Sequence, residues 1–489
     1  MTDAFVRLDL GRRLGKAQPL AFGQFIEHLG RCIYGGIFEP GSPLADESGF
    51  RRDVLAAIRA LKPPVLRWPG GNFVSGYHWQ DGVGPIAERP AVWDRAWRKI
   101  ESNAFGTDEF IRYCRLLQTE PYLVVNMGSG DMDEAAAWLE YCNRPAGTRW
   151  ADLRAKNGNQ EPFGVRYWGL GNEVFGFWQI GNMSAEEYSL RAREFGKLMR
   201  LTDANISLVA CGAHQPEWDW EVVKTAGRYI DYVSVHSYFR PEMTADPYYS
   251  LMARPSVEEE YIRDLHHLVR AARRQYGIER PISIAFDEWN VWYRTLAQAL
   301  QPDSPLEEPY NFGDALCVAA FLNVLNRSCD AVGMANFAQT VNVLGAITTS
   351  PEGLILQPVY FPLLMQREHS GSVVLDLGVE SDEFETTVGG QHRRVAYLDV
   401  CATLDEEDGK LFFSCVNFHH SEGMRLTIRG VPPGTAKVHS LTAADADATN
   451  TLGRPDTVKV TSGERAIGND GVIELEAHSA HVIETNIKG

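Results

Sequence analysis

Two glutamates stand where a buried strand is predicted to give way to a polar loop. Glu173 follows the apolar run in RYWGLGNEVFGFW (166–178), and Glu288 follows the one in ISIAFDEWN (282–290). Burying a carboxylate is costly unless the charge is paired. Either acid alone is more simply interpreted as a helix-start anchor or the partner of a buried cation. Two such acids at one edge of the same sheet instead favour catalysis.

Paired carboxyl groups about 5 Å apart suit retaining glycoside hydrolysis, with one as nucleophile and the other as acid/base. The two groups then need different pKa values at the same pH. We expect a nearby arginine, Arg67, to keep the nucleophile ionised. We also expect Glu173, in an aromatic pocket beside that anion, to have a raised pKa and to hold a proton near neutral pH.

Eight short apolar runs alternate with amphipathic helical segments between about residues 18 and 370. The runs are LAFGQFIEH, PVLRWPGGN, YLVVNMGSG, VRYWGLGNE, ISLVACGAH, YVSVHSY, ISIAFDEWN and AVGMANFAQ. The segments between them repeat apolar residues at three- and four-residue spacing, and WEVVKTAG is the weakest. This order predicts an α/β fold, a (β/α)8 TIM barrel. A doubly wound open sheet is the alternative, but no GxGxxG follows the first run.

The last part of the chain changes character. Short, often alternating apolar runs separated by Gly, Pro, Asp and Asn predict a jelly-roll-like β-sandwich over residues 371–489. The segment AFVRLDL, within residues 1–16, is expected to join it as one more strand. The barrel is then expected to occupy residues 17–370.

The C-terminal ends of barrel strands carry the catalytic groups in this fold. Those ends are rich in carboxylates and amides and have no cysteine: Glu27, His28, Arg67, Asn72, Asn126, Asn172, Glu173, His214, His236, Tyr238, Asp287, Glu288, Gln339 and Asn342. The loop 76–106 adds Trp79, Trp93 and Trp97, and Trp289 and Trp292 follow strand seven. Aromatic faces stack on sugar rings, although at least one of these is expected to be ordinary core.

Metal catalysis is the alternative chemistry for these strand ends. The candidate ligands are Glu27, His28, His214, His236, Asp287 and Glu288. Neither HxH nor HExxH occurs in the chain. We therefore expect no metal, and we expect His236 to be a hydrogen-bonding neighbour of the catalytic groups.

Composition bounds the partners and the compartment. The net charge of −17 over 489 residues argues against nucleic acid and anionic membranes. The N-terminus has no apolar signal-peptide region, and no apolar stretch is long enough to span a bilayer. The eight cysteines are scattered without a CxxC, which favours reduced thiols and a cytoplasmic location.

Six stretches make the sequence resemble family 51 glycoside hydrolases, the α-L-arabinofuranosidases, over nearly its whole length. They are FGQFIEHLGRCIYGGIFEP, LRWPGGNFVSGYHW, WGLGNEVFGFWQIGN, DYVSVHSY, FDEWNVWY and FAQTVNVLGAI. The resemblance implies a barrel with a C-terminal β-sandwich. It also implies a retaining enzyme that releases terminal arabinofuranose from arabinan- and arabinoxylan-type oligosaccharides, without a cofactor. Many members are cytoplasmic hexamers.

The same resemblance assigns roles by motif. Glu173 matches the acid/base, Glu288 the nucleophile and Arg67 a residue beside the nucleophile. The positions matching sugar-binding residues are Glu27, Asn72, Asn172, Tyr238 and Gln339, and those matching pocket aromatics are Trp97 and Trp292. The run VFGFWQIGN, which varies within the family, lies where the leaving group would bind.

Two other functions remain open at this stage. The same scaffold and chemistry could serve a β-xylosidase or an endo-β-glucanase. A non-catalytic sugar-binding protein would use the aromatic side chains as platforms and keep the carboxylates as structural groups.

Overall fold

The structure is a computed structural model that describes residues 1–243, 246–299 and 306–487. The strands are β1 (Thr2–Arg7), β2 (Arg13–Lys16), β3 (Gly23–Phe25), β4 (Val65–Trp68), β5 (Val92–Asp94), β6 (Lys99–Glu101), β7 (Glu120–Val125), β8 (Tyr167–Leu170), β9 (Ser207–Ala210), β10 (Tyr232–Phe239), β11 (Ser283–Val291), β12 (Val332–Phe337), β13 (Ile347–Ser350), β14 (Gly353–Leu356), β15 (Val373–Leu375), β16 (Gly378–Ser381), β17 (Glu383–Val388), β18 (Gln391–Ala396), β19 (Leu398–Asp405), β20 (Lys410–Asn417), β21 (Met424–Arg429), β22 (Gly434–Thr442), β23 (Lys459–Ile467), β24 (Val472–Leu475) and β25 (Ser479–Asn486). The helices are α1 (Arg52–Ala60), α2 (Thr107–Leu117), α3 (Met132–Asn143), α4 (Arg149–Lys156), α5 (Ala185–Thr202), α6 (Pro216–Ala226), α7 (Pro247–Met252), α8 (Arg254–Tyr276), α9 (Phe312–Arg327) and α10 (Tyr360–Glu368).

Eight parallel strands close into a barrel in the order β3-β4-β7-β8-β9-β10-β11-β12. The closing pair is β12 with β3, where Asn336 lies opposite Gly23. Gly23 has to be glycine because a Cβ there would lie 2.6 Å from Val65 Cγ1 on the neighbouring strand. Each of the eight apolar runs supplies one barrel strand, so the predicted TIM barrel is confirmed.

Several of the barrel helices start at capping motifs or at a proline that the sequence shows. Ser184 and Glu187 form a capping box at the start of α5, as Asn311 and Asp314 do for α9. Helix α6 is longer than WEVVKTAG because it begins at Pro216, a residue suited to the first turn. The polar helix α4 has no counterpart among the predicted segments.

Two sheets, in which every strand pair except β1 with β21 is antiparallel, form the C-terminal part of the molecule. One has the order β16-β1-β21-β24 and the other β2-β15-β19-β20-β25-β22-β23, with an apolar core between them. The N-terminal segment contributes two strands rather than the single one expected: β1 lies between β16 and β21, and β2 pairs with β15. The division of the chain at residues 16 and 370 stays a prediction.

The seven-stranded sheet also packs against the barrel. Phe412 and Val482, on its second face, belong to the same buried cluster as the barrel helices. Arg327, at the end of α9, donates to Asp399 Oδ2 at 2.9 Å and to the Val400 carbonyl at 3.1 Å on β19. The sheet is therefore covered on both faces.

Two features of the described residues bear on membrane insertion and on cysteine chemistry. Within the three described ranges, no helix combines the length and the hydropathy needed to cross a membrane. All eight cysteines are buried as free thiols.

Candidate active site

The predicted site residues come together at the C-terminal mouth of the barrel, where the carboxyl ends of the strands open to solvent. Glu288 lies on β11 and is 6% exposed. Arg67 Nη1 donates to Glu288 Oε1 at 2.7 Å, and the Tyr238 hydroxyl donates to Oε2 at 2.9 Å. Both oxygens of this carboxylate are thus oriented by a donor.

Arg67 organises the base of the site. Its Nη2 donates to Asn172 Oδ1 at 2.7 Å, and its guanidinium lies 4.5 Å over the ring of Phe25. Burial opposes its charge, but the attraction of Asp287 and Glu288 outweighs burial and raises the pKa of Arg67. Arg67 is therefore a permanent cation beside Glu288.

Asn172 is held with its donor group free. Its Oδ1 accepts from Arg67, whereas its Nδ2 is buried and has no hydrogen-bond partner in the described part of the chain. A Cβ at Gly71 would lie 3.5 Å from that Nδ2 and 3.3 Å from both Glu27 Oε2 and Glu288 Oε1. The amide N–H groups of Asn172 thus point into the space that the carboxylates border.

Glu173 lies directly after β8 in a left-handed conformation with a φ of 43°. His236 Nδ1 lies 2.8 Å from its Oε1, and Trp178 Nε1 donates to its Oε2 at 2.9 Å. The backbone turn lifts this carboxylate out of the strand, so its side chain remains 17% exposed.

The expected raised pKa of Glu173 is wrong for this arrangement. Burial alone would raise it, but the hydrogen bond and charge of His236 and the Trp178 N–H lower the pKa of Glu173. Burial likewise disfavours the His236 cation, yet Glu288, Asp287 and Glu173 together raise the pKa of His236 to about 10. These mutual influences favour the proton on His236, a coupling that arises only when the strand ends meet in the folded barrel.

Glu173, Glu288 and His236 form one compact group. One oxygen of each carboxylate and one ring nitrogen of the histidine all lie within 4.8 Å of one another. Of the other residues considered as metal ligands, Asp287 contacts this group through His236 Nε2 at 3.3 Å. His28 instead pairs with Glu101 at 3.2 Å, away from the carboxylate pair.

A second carboxylate-centred network borders the site opposite Glu173. Glu27 Oε1 accepts from Trp97 Nε1 at 3.1 Å and from the Phe73 backbone N–H at 3.2 Å, and its Oε2 accepts from Gln339 Nε2 at 2.7 Å. Burial and, secondly, the charge of Glu288 raise the pKa of Glu27 to about 7. Gln339 Oε1 is buried without a hydrogen-bond partner in the described residues, so it can accept from a ligand.

The remaining predicted residues line the same opening. Asn72 begins the short helical turn after Gly71 and is half-buried. The ring of Trp292 lies edge-on to Tyr238, 5.2 Å between centroids. Among the other tryptophans, Trp79 and Trp289 are core, as the sequence analysis allowed for some of them.

Two residues have contacts that the sequence did not predict: Asp287, considered there as a strand-end residue and candidate metal ligand, and Trp178, within the run VFGFW. Asp287 accepts from the Tyr122 hydroxyl at 2.7 Å, and Arg67 and His236 lower the pKa of Asp287 despite its burial. Trp178 holds Glu173 while remaining 46% exposed, next to Phe177 at 84%. The DE doublet and the aromatic run VFGFW were the signals present in the sequence.

Comparisons with known proteins identify the family of this chain. Two family descriptions match, the alpha-L-arabinofuranosidase 1 domain over residues 57–255 and the alpha-L-arabinofuranosidase C-terminal domain over residues 287–479. The chain belongs to the family 51 α-L-arabinofuranosidases. Alpha-L-arabinofuranosidase C of Emericella nidulans is 40% identical over 470 residues, covering 91% of this chain and 90% of that one.

Two further family 51 relatives bear on fold and function. The intracellular exo-alpha-(1->5)-L-arabinofuranosidase of Halalkalibacterium halodurans is 38% identical over 432 residues, covering 86% of this chain and 85% of that one. The solved GH51 alpha-L-arabinofuranosidase of Thermotoga petrophila superimposes with a TM-score of 0.91 at 39% identity, covering 99% and 100% of the two chains. This arabinofuranosidase chain therefore shares the fold of that enzyme over nearly its whole length.

Proposed function

We propose that the enzyme is a retaining, exo-acting α-L-arabinofuranosidase that removes terminal non-reducing arabinofuranosyl residues from arabinan- and arabinoxylan-type oligosaccharides. The observation that carries the mechanism is the spacing of Glu173 and Glu288, which have carboxylate oxygens within 4.8 Å of each other. Retaining glycosidases have carboxyl groups about 5 Å apart, whereas inverting ones need room for a water between them. The spacing supports direct attack by one carboxylate.

Glu288 is the nucleophile in this proposal. Its carboxylate attacks the anomeric carbon while the bond to the leaving oxygen breaks, which forms a glycosyl ester. Arg67 and Tyr238 hold its two oxygens, so the attacking group is oriented before the sugar arrives.

Glu173 protonates the departing oxygen and later takes a proton from the water that hydrolyses the ester. His236, 2.8 Å from Glu173, stores the proton in the free enzyme and keeps it available to the pair. As the ester forms, the negative charge of Glu288 disappears. The cation at His236 thereby loses its largest stabilising charge, which favours transfer of its proton through Glu173 to the departing oxygen and leaves Glu173 ionised to act as the base.

The sugar itself is bound by the groups left without partners. Asn172 Nδ2 can donate to the 2-hydroxyl, a contact that strengthens in the transition state. Glu27, Gln339 and Asn72 face the other hydroxyls, while Trp97 and Trp292 enclose the ring. This closed side supports an exo-acting enzyme that accepts one terminal sugar.

The leaving group occupies the opposite side in this proposal, against Trp178 and Phe177. Their exposed rings, 5.2 Å apart and nearly perpendicular, can stack on a sugar of the departing chain. Localisation and assembly are proposed from resemblance: the named Halalkalibacterium relative is intracellular, which supports a cytoplasmic enzyme, and the family supports a hexamer.

Kinetics of two alanine variants on aryl arabinofuranosides test the assignment. Glu288→Ala should lose activity by several orders of magnitude, and azide should restore it with inverted product. Glu173→Ala should lose little on a good leaving group and much on a poor one, because only poor leaving groups need protonation. Near-wild-type turnover of an unactivated arabinoside by both variants would refute it.

A substrate panel separates the proposed sugar from its alternatives on the same scaffold. Wild-type enzyme is compared on aryl arabinofuranoside, aryl β-xyloside and a soluble β-glucan. The proposal expects the highest kcat/KM on the arabinofuranoside. A higher value on the xyloside, or cleavage within the glucan chain, would replace the proposed substrate while leaving the two-carboxylate chemistry in place.

A further inference from the structure

A second group of ligand-type side chains lies at the junction between barrel and sandwich. His369 directly follows α10, His439 lies on β22, and Glu484 lies on β25. One ligand atom from each of the three lies within 4.8 Å of the others. We call these three residues the junction cluster; the proposed reaction uses none of them.

The sheet register brings two members of the junction cluster to the same face. β22 and β25 are antiparallel neighbours in which Lys437 lies opposite Glu484 and His439 lies opposite Val482. Directly opposed residues and residues two apart share a face, so His439 and Glu484 are diagonal neighbours there. Val482 packs with the barrel core, which identifies this face as the one turned towards α10.

The imidazole of His439 is buried and has one ring nitrogen available to bind a metal. The residue is 2% exposed, and its Nδ1 lies 2.8 Å from the Ser462 hydroxyl. Its Nε2 is buried and makes no hydrogen bond within the described residues. Donation from Nδ1–H to Ser462 leaves a lone pair on Nε2, and a buried polar atom without a partner needs an explanation.

His369 stacks on His439 with 3.5 Å between ring centroids and 16° between ring planes. Parallel rings do not aim their lone pairs at one point, so shared binding requires the half-buried His369 ring to turn.

Glu484 supplies the third candidate ligand atom, its Oε2. Its Oε1 accepts from Lys410 Nζ at 2.9 Å, and its Oε2 lies 3.8 Å from His439 Nε2. That separation exceeds a hydrogen bond. It is close to the roughly 3.3 Å edge between two ligand atoms that each lie about 2.0 Å from a tetrahedral zinc. Lys410 serves as the outer partner that orients a ligating carboxylate.

We propose that His369, His439 and Glu484 bind one divalent transition-metal ion of the zinc type, which ties the end of α10 to the seven-stranded sheet. Two imidazole nitrogens and one carboxylate oxygen match zinc and nickel and are poor ligands for magnesium or calcium. The ion is structural, and water occupies its fourth position. Lys410 and Lys437 are close enough to weaken binding, so micromolar affinity is expected.

Zinc titration of the chelator-treated full-length enzyme tests this proposal. The measurements are zinc stoichiometry by calorimetry, the thermal unfolding midpoint and the visible absorption of bound Co²⁺. The wild type should bind one more zinc than His369→Ala, and zinc should raise its midpoint by about 2 °C or more. Cobalt bands of tetrahedral intensity should disappear in the same variant.

The matched control is His392→Ala, which removes an exposed histidine of the same C-terminal region and should behave as the wild type. His439→Ala is the second ligand variant; His369→Ala decides the question if that one does not fold. Comparison with the wild type also separates this site from the Glu173–His236–Glu288 group, which every variant retains. Equal zinc uptake and equal midpoint shifts in the wild type and His369→Ala would overturn the proposal, as would a magnesium shift as large as the zinc shift.

Discussion

At the scale of single residues, the candidate active site is a network of charged groups that shift one another's pKa values. Arg67 is a fixed cation beside Glu288, and His236 bridges Glu173, Asp287 and Glu288. In the proposed mechanism, the proton that acid catalysis needs is therefore held on His236 rather than on Glu173. This arrangement makes the pKa of Glu173 depend on a neighbour 63 residues away in sequence.

His236→Gln tests that dependence. Glutamine can still donate to Glu173 but carries no charge, so burial, the largest influence, then raises the pKa of Glu173 above its usual range. In the proposed mechanism, Glu173 must be ionised to act as base on the glycosyl ester. For an aryl arabinofuranoside with a good leaving group, kcat should therefore begin to fall at a pH at least about one unit higher than in the wild type as the solution is acidified.

The control for this variant is His214→Gln. His214 also follows a barrel strand, but its ring packs on Tyr261 and not on the catalytic carboxylates. Its pH profile should overlay that of the wild type. An unmoved acidic limb in His236→Gln would show that His236 does not set the ionisation of Glu173.

At the scale of elements, the loop after β4 brings backbone rather than side chain against Glu27 and Glu288. Gly71 lies between Glu27 and Glu288, where the sugar is proposed to bind. The glycine is therefore required by space.

Gly71→Ala should crowd the bound sugar and leave the fold intact. The added methyl would lie 3.3 Å from a carboxylate oxygen of Glu27 and of Glu288. Overpacking of about 1–3 kcal/mol corresponds to a loss of roughly 5- to 150-fold in kcat/KM. Gly353→Ala, whose added Cβ would meet nothing within 4 Å, is the control and should keep wild-type kinetics. Equal kinetics for both variants would contradict the placement of the sugar.

The same scale shows what sequence can and cannot predict. All eight barrel strands were predicted because buried parallel strands appear as continuous apolar runs. The hairpin of β17 and β18 was missed because it is largely exposed and polar, although its Gly389–Gly390 turn was visible in the sequence. The site residues could be proposed from strand ends, but the protonation of Glu173 depends on a contact that only the folded barrel creates.

At the scale of the whole molecule, barrel and sandwich are joined by a shared apolar cluster and by a charged link. Arg327 at the end of α9 contacts Asp399 on β19 at 2.9 Å and Glu259 on α8 at 2.8 Å. All three side chains are a quarter exposed or less. This ion-pair link stabilises the packing of the two regions against each other.

Arg327→Met should lower the free energy of unfolding by about 2 kcal/mol, because it leaves the partly buried Glu259 and Asp399 carboxylates without their cation; Asn323 still donates to Asp399. Chemical denaturation followed by fluorescence and circular dichroism measures the loss. Arg394→Met, which breaks an exposed pair with Glu383, should cost less than about 0.5 kcal/mol. Similar losses in the two variants would show that the buried link adds nothing beyond a surface ion pair.

The place of β1 inside the sheet of β16, β21 and β24 has a consequence for biosynthesis. β1 pairs in parallel with β21, and Met1 lies against Glu422, 421 residues later. At about 5–20 residues per second, a ribosome makes β21 roughly 20–80 s after β1. β1 must therefore wait for its partners β16 and β21 until most of the sequence that follows it has been translated, so this sheet forms late in vectorial folding.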